Sequence, residues 1–205
     1  MGLYKKYILP KIIHWTCQQN PTMRQREKVV PLASGKVLEI GIGSGLNLSY
    51  YNSDEVQHLT GIDPSAENWN MNTNKVQDLG FDFEFIKAFA EDIPSDNNQY
   101  DSAIITYALC SIPEPDLALE EIKRVLKPNG KLIFCEHGLA PDTKIKKQQK
   151  FINPMWRWIS GGCNLTRDVP ILLANAGFKV LEMDTMYLPG WKPGSFNYWG
   201  SAKIE

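Results

Sequence analysis

Residues 37–45 read VLEIGIGSG, and this stretch decides the fold. The apolar run at 37–40 predicts a buried strand, and glycines follow it at positions 41, 43 and 45. Glycine lets the backbone turn sharply and lets a ligand approach the main chain closely. The mixed polar and apolar residues up to Tyr51 indicate a helix. The stretch therefore predicts a strand, a glycine turn and a helix whose unpaired N–H groups would suit a carboxylate or a phosphate.

Strand-like and helix-like segments alternate along the rest of the chain, which predicts an α/β fold. Five strands separated by helices imply a parallel sheet covered on both faces, and a last strand pair without an intervening helix is expected to be antiparallel. The predicted strands are 37–40, 56–62, 81–86, 100–106, 131–137, 178–188 and 196–204. Predicted helices are 3–30 (broken at Pro10 and Pro21), 65–79, 115–126 and 168–176, and 127–130 is a predicted turn. Ligands bind such sheets at the carboxyl ends of strands.

Three features near the glycine turn separate the candidate ligands. The dinucleotide fingerprint GxGxxG would need Gly or Ala where Leu46 stands. Glu39, just before the glycines, would repel a pyrophosphate but attract an ammonium or sulfonium group. Asp63 ends the second strand, where a carboxylate can accept both hydroxyls of a ribose or can cap a helix. Together these residues favour S-adenosylmethionine over a dinucleotide.

Charge is unevenly distributed in this 205-residue chain of net charge -1. Residues 1–28 carry a net charge of +5, residues 142–158 carry +4, and the remainder carries -10. The near-neutral total argues against a nucleic-acid binder. The two basic segments are either docking surfaces for something anionic, such as a membrane surface, or solvated helix faces.

Cysteine spacing argues against metal and redox cysteine sites, and hydropathy argues against a membrane-spanning or secreted protein. Cys17, Cys110, Cys135 and Cys163 form no short-spaced pair, so we expect neither a zinc site nor a redox dithiol, and we expect Cys110 and Cys135 to be buried thiols. No stretch approaches the roughly 20 apolar residues of a membrane span, and no signal peptide is recognisable. We therefore expect a cytoplasmic protein, with a peripheral membrane contact as an alternative.

Successive motifs of the chain resemble those of class I S-adenosylmethionine-dependent methyltransferases. They are VLEIGIGSG, GIDP (61–64), AEDIP (90–94), YDSAIITYALCSI (100–112) and LKPNGKLIFCEH (126–137). The resemblance implies a Rossmann-like, seven-stranded, mostly parallel sheet with a C-terminal antiparallel pair. It implies one domain over 1–205: an N-terminal helical lid (1–30), a cofactor-binding core (31–138), an acceptor-side insertion (139–167) and a C-terminal helix with the strand pair (168–205).

The resemblance also implies which residues bind S-adenosylmethionine. Glu39 and the 41–45 backbone would hold the methionine end, Asp63 the ribose, and residues 90–92 the adenine. Relatives often have Asp where this chain has Phe89, so Glu91 or Asp92 would take over its contact. The implied cofactor-binding residues are Glu39, Gly41, Ile42, Gly43, Gly45, Asn47, Asp63, Pro64, Ala90, Glu91, Asp92, Thr106 and Tyr107, the last two beneath the sulfonium.

A narrower resemblance concerns the methyl acceptor. EHGLAP (136–141) and NPMWRWISGGCNLTRD (153–168) are similar to proteins that methylate small thiols and to bacterial phospholipid N-methyltransferases. The expected function is therefore methyl transfer to a small molecule such as a thiol. The alternatives are a phospholipid amine at the membrane surface, or a cofactor-binding protein without catalysis. Trivalent arsenic held by Cys110, Cys135 and Cys163 is a further acceptor hypothesis.

His137, at the end of the fifth strand, is the predicted general base or acceptor-orienting group, unless it is a structural histidine. Methyl transfer otherwise requires only alignment of the acceptor and exclusion of water. His14 could face the acceptor if residues 1–30 form a lid, and otherwise it is expected on the surface.

Overall fold

A computed structural model describes residues 9–69, 76 and 79–205 of the chain. Within this part, seven strands form one sheet in the order β3-β2-β1-β4-β5-β7-β6. They are β1 (Gly35–Ile40), β2 (Val56–Ile62), β3 (Asp82–Ile86), β4 (Tyr100–Thr106), β5 (Leu126–His137), β6 (Phe178–Tyr187) and β7 (Phe196–Ile204). The helices are α1 (Leu9–Cys17), α2 (Asn20–Val29), α3 (Ala66–Trp69), α4 (Pro115–Val125), α5 (Thr143–Ile159) and α6 (Val169–Asn175).

The sheet confirms the predicted fold class. Strands β1 to β5 pair in parallel, whereas β7 pairs antiparallel with both β5 and β6. The strand order reverses between β1 and β4, which are direct neighbours. The carboxyl ends of these two strands lead into the glycine turn and into Tyr107, so the switch point is where a ligand is expected.

Side-chain alternation along β1 divides the core between two clusters. Leu38 and Ile40 pack in a cluster that includes Leu119 and Ile122 of α4. Val37 points the other way and packs with Val29 of α2. Because successive strand residues alternate between faces, Glu39 shares the face of Val37 and lies under α2. This register places a carboxylate beneath the N-terminal helices.

The segment after the glycine turn corrects one prediction. Only a 3-10 turn, Leu48–Tyr50, forms where a helix was expected. Asn47 and Tyr51 both bond to Glu39 (Asn47 Nδ2 to Oε1 at 2.9 Å, Tyr51 Oη to Oε2 at 2.7 Å), which fixes the segment in a compact turn. Helix N–H groups are therefore not offered to a carboxylate or a phosphate by this segment.

Pro21 is a helix boundary, as predicted, because α1 ends at Cys17 and α2 begins at Asn20. A first-turn N–H has no partner within the helix, so proline costs little at the start of α2. Whether Pro10 is a boundary depends on residues outside the described part. Residues 1–8 lie outside the described part, as does most of the predicted helix 65–79 beyond α3.

The expected turn at 127–130 is part of β5 in the structure. The pairing with β4 shifts register here, because Tyr100 pairs with Leu126 while Ser102 pairs with Lys131. The extra residues bulge from the strand and do not interrupt it. No helix in the described part is both long and apolar enough to cross a membrane.

Candidate active site

A cavity of about 390 Å³ opens at the switch point of the sheet. Its floor comes from the ends of β1, β2 and β4, including Gly41, Asp63 and Thr106. Helix α1 forms its roof with Ile13, His14 and Cys17. Part of the segment that was predicted to be a lid therefore lines the cavity.

The glycine turn forms one wall of the cavity. Gly41 has φ +68°, and a Cβ there would come within 2.6 Å of the Ala108 Cβ. Gly43 has φ +54°, and the nearest atom to a Cβ there would be the Gly41 carbonyl oxygen at 3.9 Å. Both positions favour glycine because side chains are strained at positive φ. Gly43 also leaves open space at the wall for a ligand.

Asp63 joins the second strand to this turn. Its Oδ2 accepts the Gly43 N–H at 3.0 Å, and its Oδ1 accepts the Ser65 N–H at 2.8 Å. Burial raises the pKa of this carboxyl, while the two backbone donors partly offset that effect. Each oxygen retains a lone pair for a further donor, so the cap of the next turn and a ribose contact are compatible.

Glu39 lies beneath the cavity and not in its wall. Its side chain is 1% exposed, and both carboxylate oxygens are bonded, to Asn47 and Tyr51. Burial raises its pKa to about 7, although the Tyr51 bond and the Arg26 charge act in the opposite direction. Glu39 therefore anchors the segment after the glycine turn from beneath the cavity.

Arg26 is the residue that the sequence interpretation missed. It was counted with the basic N-terminal segment, yet it is 5% exposed and lines the cavity. Its Nη1 donates to Asn47 Oδ1 at 2.7 Å and to Thr106 Oγ1 at 2.6 Å, and its guanidinium lies 5.1 Å from the Tyr107 ring centre. A signal existed, because Arg26 stands three and four residues before Val29 and Val30 and hence on their helix face.

The remaining predicted cofactor residues divide into two groups. Those that line the cavity are Gly41, Ile42, Gly43, Asp63, Pro64, Ala90, Glu91, Thr106 and Tyr107. Gly45, Asn47 and Asp92 do not line it, and Asp92 is exposed. Phe89, where relatives often have Asp, flanks Ala90 in the cavity wall with 61% of its surface exposed.

Glu136 holds the loop after β4 and was not predicted. Its Oε1 accepts the backbone N–H groups of Ala108 at 2.7 Å and Leu109 at 2.9 Å. Burial raises the pKa of Glu136 to about 7, against the lowering effect of these donors. Tyr107, just before, adopts φ +54°, which is unusual for a residue with a side chain. Glu136 thus stabilises a strained turn in the cavity wall.

The two histidines near the site differ in position. His14 lines the cavity, with Nδ1 2.6 Å from the Ser44 hydroxyl in the glycine turn. His137 does not line it, and its Nε2 lies 3.1 Å from Cys163 Sγ. The catalytic role of His137 stays a prediction.

Cys163 is a perturbed thiol close to this site. Its pKa is lowered to about 4 by the Cys110 hydrogen bond first and by His137 and Trp156 as well, against a raising effect of burial. Trp156 Nε1 donates to the Cys163 sulfur at 3.3 Å. Cys110 and Cys135 are buried free cysteines, as expected.

The sequence of the chain is similar to those of known methyltransferases. Residues 38–134 match the methyltransferase domain family. Thiol S-methyltransferase TMT1B of Homo sapiens is 33% identical over 83% of this chain and 72% of that protein. Phosphatidylethanolamine N-methyltransferase of Cereibacter sphaeroides is 27% identical over 65% of this chain and 66% of that protein. The chain belongs to the class I S-adenosylmethionine-dependent methyltransferases.

A solved methyltransferase structure supports the fold. The S-adenosylmethionine-dependent methyltransferase of Thermotoga maritima, described as a possible histamine N-methyltransferase, has a TM-score of 0.69 at 17% identity, with full coverage of both chains. Some relatives are longer: the chain spans 65% of the TMT1B form of Rattus norvegicus.

S-adenosylmethionine is the cofactor of this methyltransferase class, and the cavity fits it. Arg26 Nε is buried without a hydrogen-bond partner, so a donor remains for an anionic group such as the methionine carboxylate. Asp63 would offer acceptors to a ribose, and Ala90 and Glu91, which also line the cavity, would lie beside the base. When bound, the cofactor supplies an electrophilic methyl group on a sulfonium.

Proposed function

We propose that this methyltransferase acts on a small apolar acceptor of the thiol class. The observation that carries the proposal is the chemistry of the acceptor side of the cavity. Helix α1 contributes Ile13 and Cys17 there, and the loop after β4 contributes Tyr107 and Ile112. A soft, apolar nucleophile loses little solvation in such surroundings, whereas a charged amine would lose much more. The similarity to proteins named thiol S-methyltransferases supports the same acceptor class.

The contribution of the protein is alignment, water exclusion and removal of one proton. The roof formed by α1 closes the cavity over the acceptor, which keeps water from the methyl group. A thiol must lose its proton to attack, and an imidazole is the side chain whose ordinary pKa suits that step near neutral pH. We assign this role to His14, which the Ser44 contact orients within the cavity wall.

A methyl-transfer screen over small thiols, amines and phospholipids, with S-adenosylhomocysteine release as the readout, tests the acceptor class. Turnover with thiols alone supports the proposal, and turnover with amines but not thiols contradicts it. Cofactor binding without turnover of any acceptor would instead support the non-catalytic alternative.

The role of His14 has its own test. His14→Gln should lower kcat for a thiol near neutral pH, and activity should recover at higher pH as the acceptor ionises by itself. The matched control is His58→Gln, because His58 lies in β2 and contacts Thr60 at 3.2 Å outside the cavity wall. An unchanged pH profile in His14→Gln would remove the base role.

The alternative acceptor, a phospholipid amine, is favoured by one surface of α5. Phe151 is 88% exposed, and Met155 and Trp158 are each 64% exposed. Their spacing places them on one helix face, and exposed Lys147 and Lys150 lie beside them. An apolar face bordered by lysines suits an anionic membrane surface. We therefore extend the proposal to a peripheral membrane contact through α5.

Vesicle sedimentation separates this contact from the acceptor question. The protein should pellet with phosphatidylglycerol-containing vesicles, and the double substitution Phe151→Ser and Trp158→Ser should abolish this. The matched control is Ile171→Ser, since Ile171 is a 56% exposed apolar residue of α6. Absence of binding at physiological salt would contradict the membrane contact and count against a phospholipid acceptor.

A further inference from the structure

Three side chains with metal-binding atoms converge beside the cavity. Cys110 lies in the loop after β4, His137 ends β5, and Cys163 follows α5. Their ligand atoms all lie within 4.8 Å of one another, and His137 Nε2 is 3.1 Å from Cys163 Sγ. Short spacing was absent from the sequence because each of the three comes from a different segment.

Two hydrogen bonds outside the cluster hold its segments in place. The Asn164 N–H, next to Cys163, donates to the Cys110 carbonyl at 2.9 Å. The Leu165 N–H donates to Asn153 Oδ1 at 2.8 Å, which ties the same turn back to α5. The fold therefore holds the segments of Cys110 and Cys163 next to each other.

The chemistry of the cluster suits one class of ion. Two sulfur atoms and one imidazole nitrogen form a soft to borderline donor set, which binds Zn²⁺ and other d¹⁰ ions well and Mg²⁺ or Ca²⁺ poorly. Trp156 Nε1–H and His137 lie within hydrogen-bonding distance of the Cys163 sulfur (3.3 and 3.1 Å), which favours the thiolate, the form that ligates metals. Trp156 could keep its N–H···S contact as an outer-shell partner of a bound ion.

We propose that Cys110, His137 and Cys163 bind a thiophilic d¹⁰ metal ion of the Zn²⁺ class. A disulfide would use the two sulfurs only, whereas a metal ion would also use His137 Nε2, which lies 3.1 Å from Cys163 Sγ. Tetrahedral coordination leaves one further position for water or another ligand.

An ion here would stabilise the acceptor-side wall of the cavity. Ser111, next to Cys110, and Gly161, two residues before Cys163, both line the cavity. The ion would link these two segments, so Zn²⁺ should raise the thermal unfolding temperature of metal-free protein. This inference does not rest on the acceptor class, because its readouts are binding and stability and not activity.

Cadmium titration of the full chain, stripped with a chelator and kept reduced, tests the site. One equivalent of Cd²⁺ should produce a thiolate-to-cadmium charge-transfer band. Cys110→Ser and Cys163→Ser should each reduce or abolish the band, whereas Cys135→Ser should keep it, because Cys135 is a buried thiol outside the cluster. Absence of the band in the unsubstituted protein, or its survival in both cluster variants, would overturn the proposal.

X-ray absorption on the unsubstituted protein loaded with Zn²⁺ tests the same site without relying on variants that could fail to fold. Two sulfur ligands with nitrogen or oxygen in the remaining positions are expected. Coordination by nitrogen and oxygen alone would overturn the proposal even if every cysteine variant were misfolded. Circular dichroism of each variant shows which titrations can be compared.

Discussion

Arg26→Gln is the substitution that tests the cofactor site most directly. The guanidinium lies in the cavity wall, bonded to Asn47 and Thr106 through Nη1, while Nε is buried without a partner. We assign that remaining donor capacity to the methionine carboxylate of the cofactor. Glutamine keeps part of the side-chain length and one donor group, but it loses the charge and the fork of donors.

The expected magnitude follows from the kind of bond that is lost. A hydrogen bond to a charged group contributes about 1.5–3 kcal/mol. At about 1.4 kcal/mol for each factor of ten, Arg26→Gln should weaken S-adenosylmethionine binding roughly 10- to 150-fold. The buried Glu39 carboxyl, whose pKa Arg26 lowers, would also lose a compensating charge. Part of the effect could therefore fall on stability, and unfolding must be measured beside binding.

Isothermal titration with two ligands separates the assigned role from a structural one. S-adenosylhomocysteine carries the methionine carboxylate, whereas methylthioadenosine lacks it. Arg26→Gln should weaken the first ligand and leave the second nearly unchanged. Arg24→Gln, an exposed neighbour on α2, is the matched control and should affect neither. Equal weakening of both ligands, or no weakening, would refute the carboxylate assignment.

Three further predictions concern stability. Glu136→Ala should destabilise the protein by about 1–3 kcal/mol for each buried N–H left without an acceptor, while Glu136→Gln should cost much less; equal urea denaturation midpoints would contradict this. Because the folded pKa of Glu39 is raised to about 7, its contribution to stability is present at low pH and is lost as the pH rises from about 5 to about 7. The difference in unfolding free energy between the natural protein and Glu39→Gln should fall over that range, and a pH-independent difference would exclude the effect. Gly61→Ala should cost about 1–3 kcal/mol through overpacking, because a Cβ there would lie 2.4 Å from Ile42 Cδ1; an unchanged thermal midpoint would show that Ile42 can move aside.

Most strands were predictable because an apolar or alternating run marks them, although β5 begins at Leu126 and not at residue 131. β2 and β7 have the bounds read from the sequence, and the antiparallel end of the sheet followed from the lack of a helix between the last two strands. The helix expected after the glycine turn failed for a reason that local pattern cannot show. Asn47 and Tyr51 bond to a carboxylate eight and twelve residues earlier in the chain, and these contacts outweigh local helix preference.

The part of the candidate site that could be predicted is the part formed by short sequence motifs, the glycine turn and the end of the second strand. Gly43 and Asp63 lie close in the fold, as the motif spacing indicated, and the Gly43 N–H bonds to Asp63. Glu136 was not predictable, because its partners come from a segment far away in the sequence. The arsenic hypothesis grouped Cys110 and Cys163 with Cys135, whereas in the structure the third residue beside them is His137. A single sequence contains no record of which distant segments meet.

The net charge of the basic N-terminal segment does not distinguish its exposed basic residues from a buried one. Arg26 contributed to its net charge of +5, yet it is buried and faces the cavity, whereas Arg24 is exposed two residues earlier. The same segment places Ile13 and His14 in the wall of the cavity. In the proposed arrangement, one stretch of chain would supply both the cation for the cofactor and the cover over the acceptor. His14 also contacts Ser44 in the glycine turn. A movement of the turn on cofactor binding would therefore shift His14 and with it helix α1. Acceptor access and cofactor occupancy should therefore be coupled through α1.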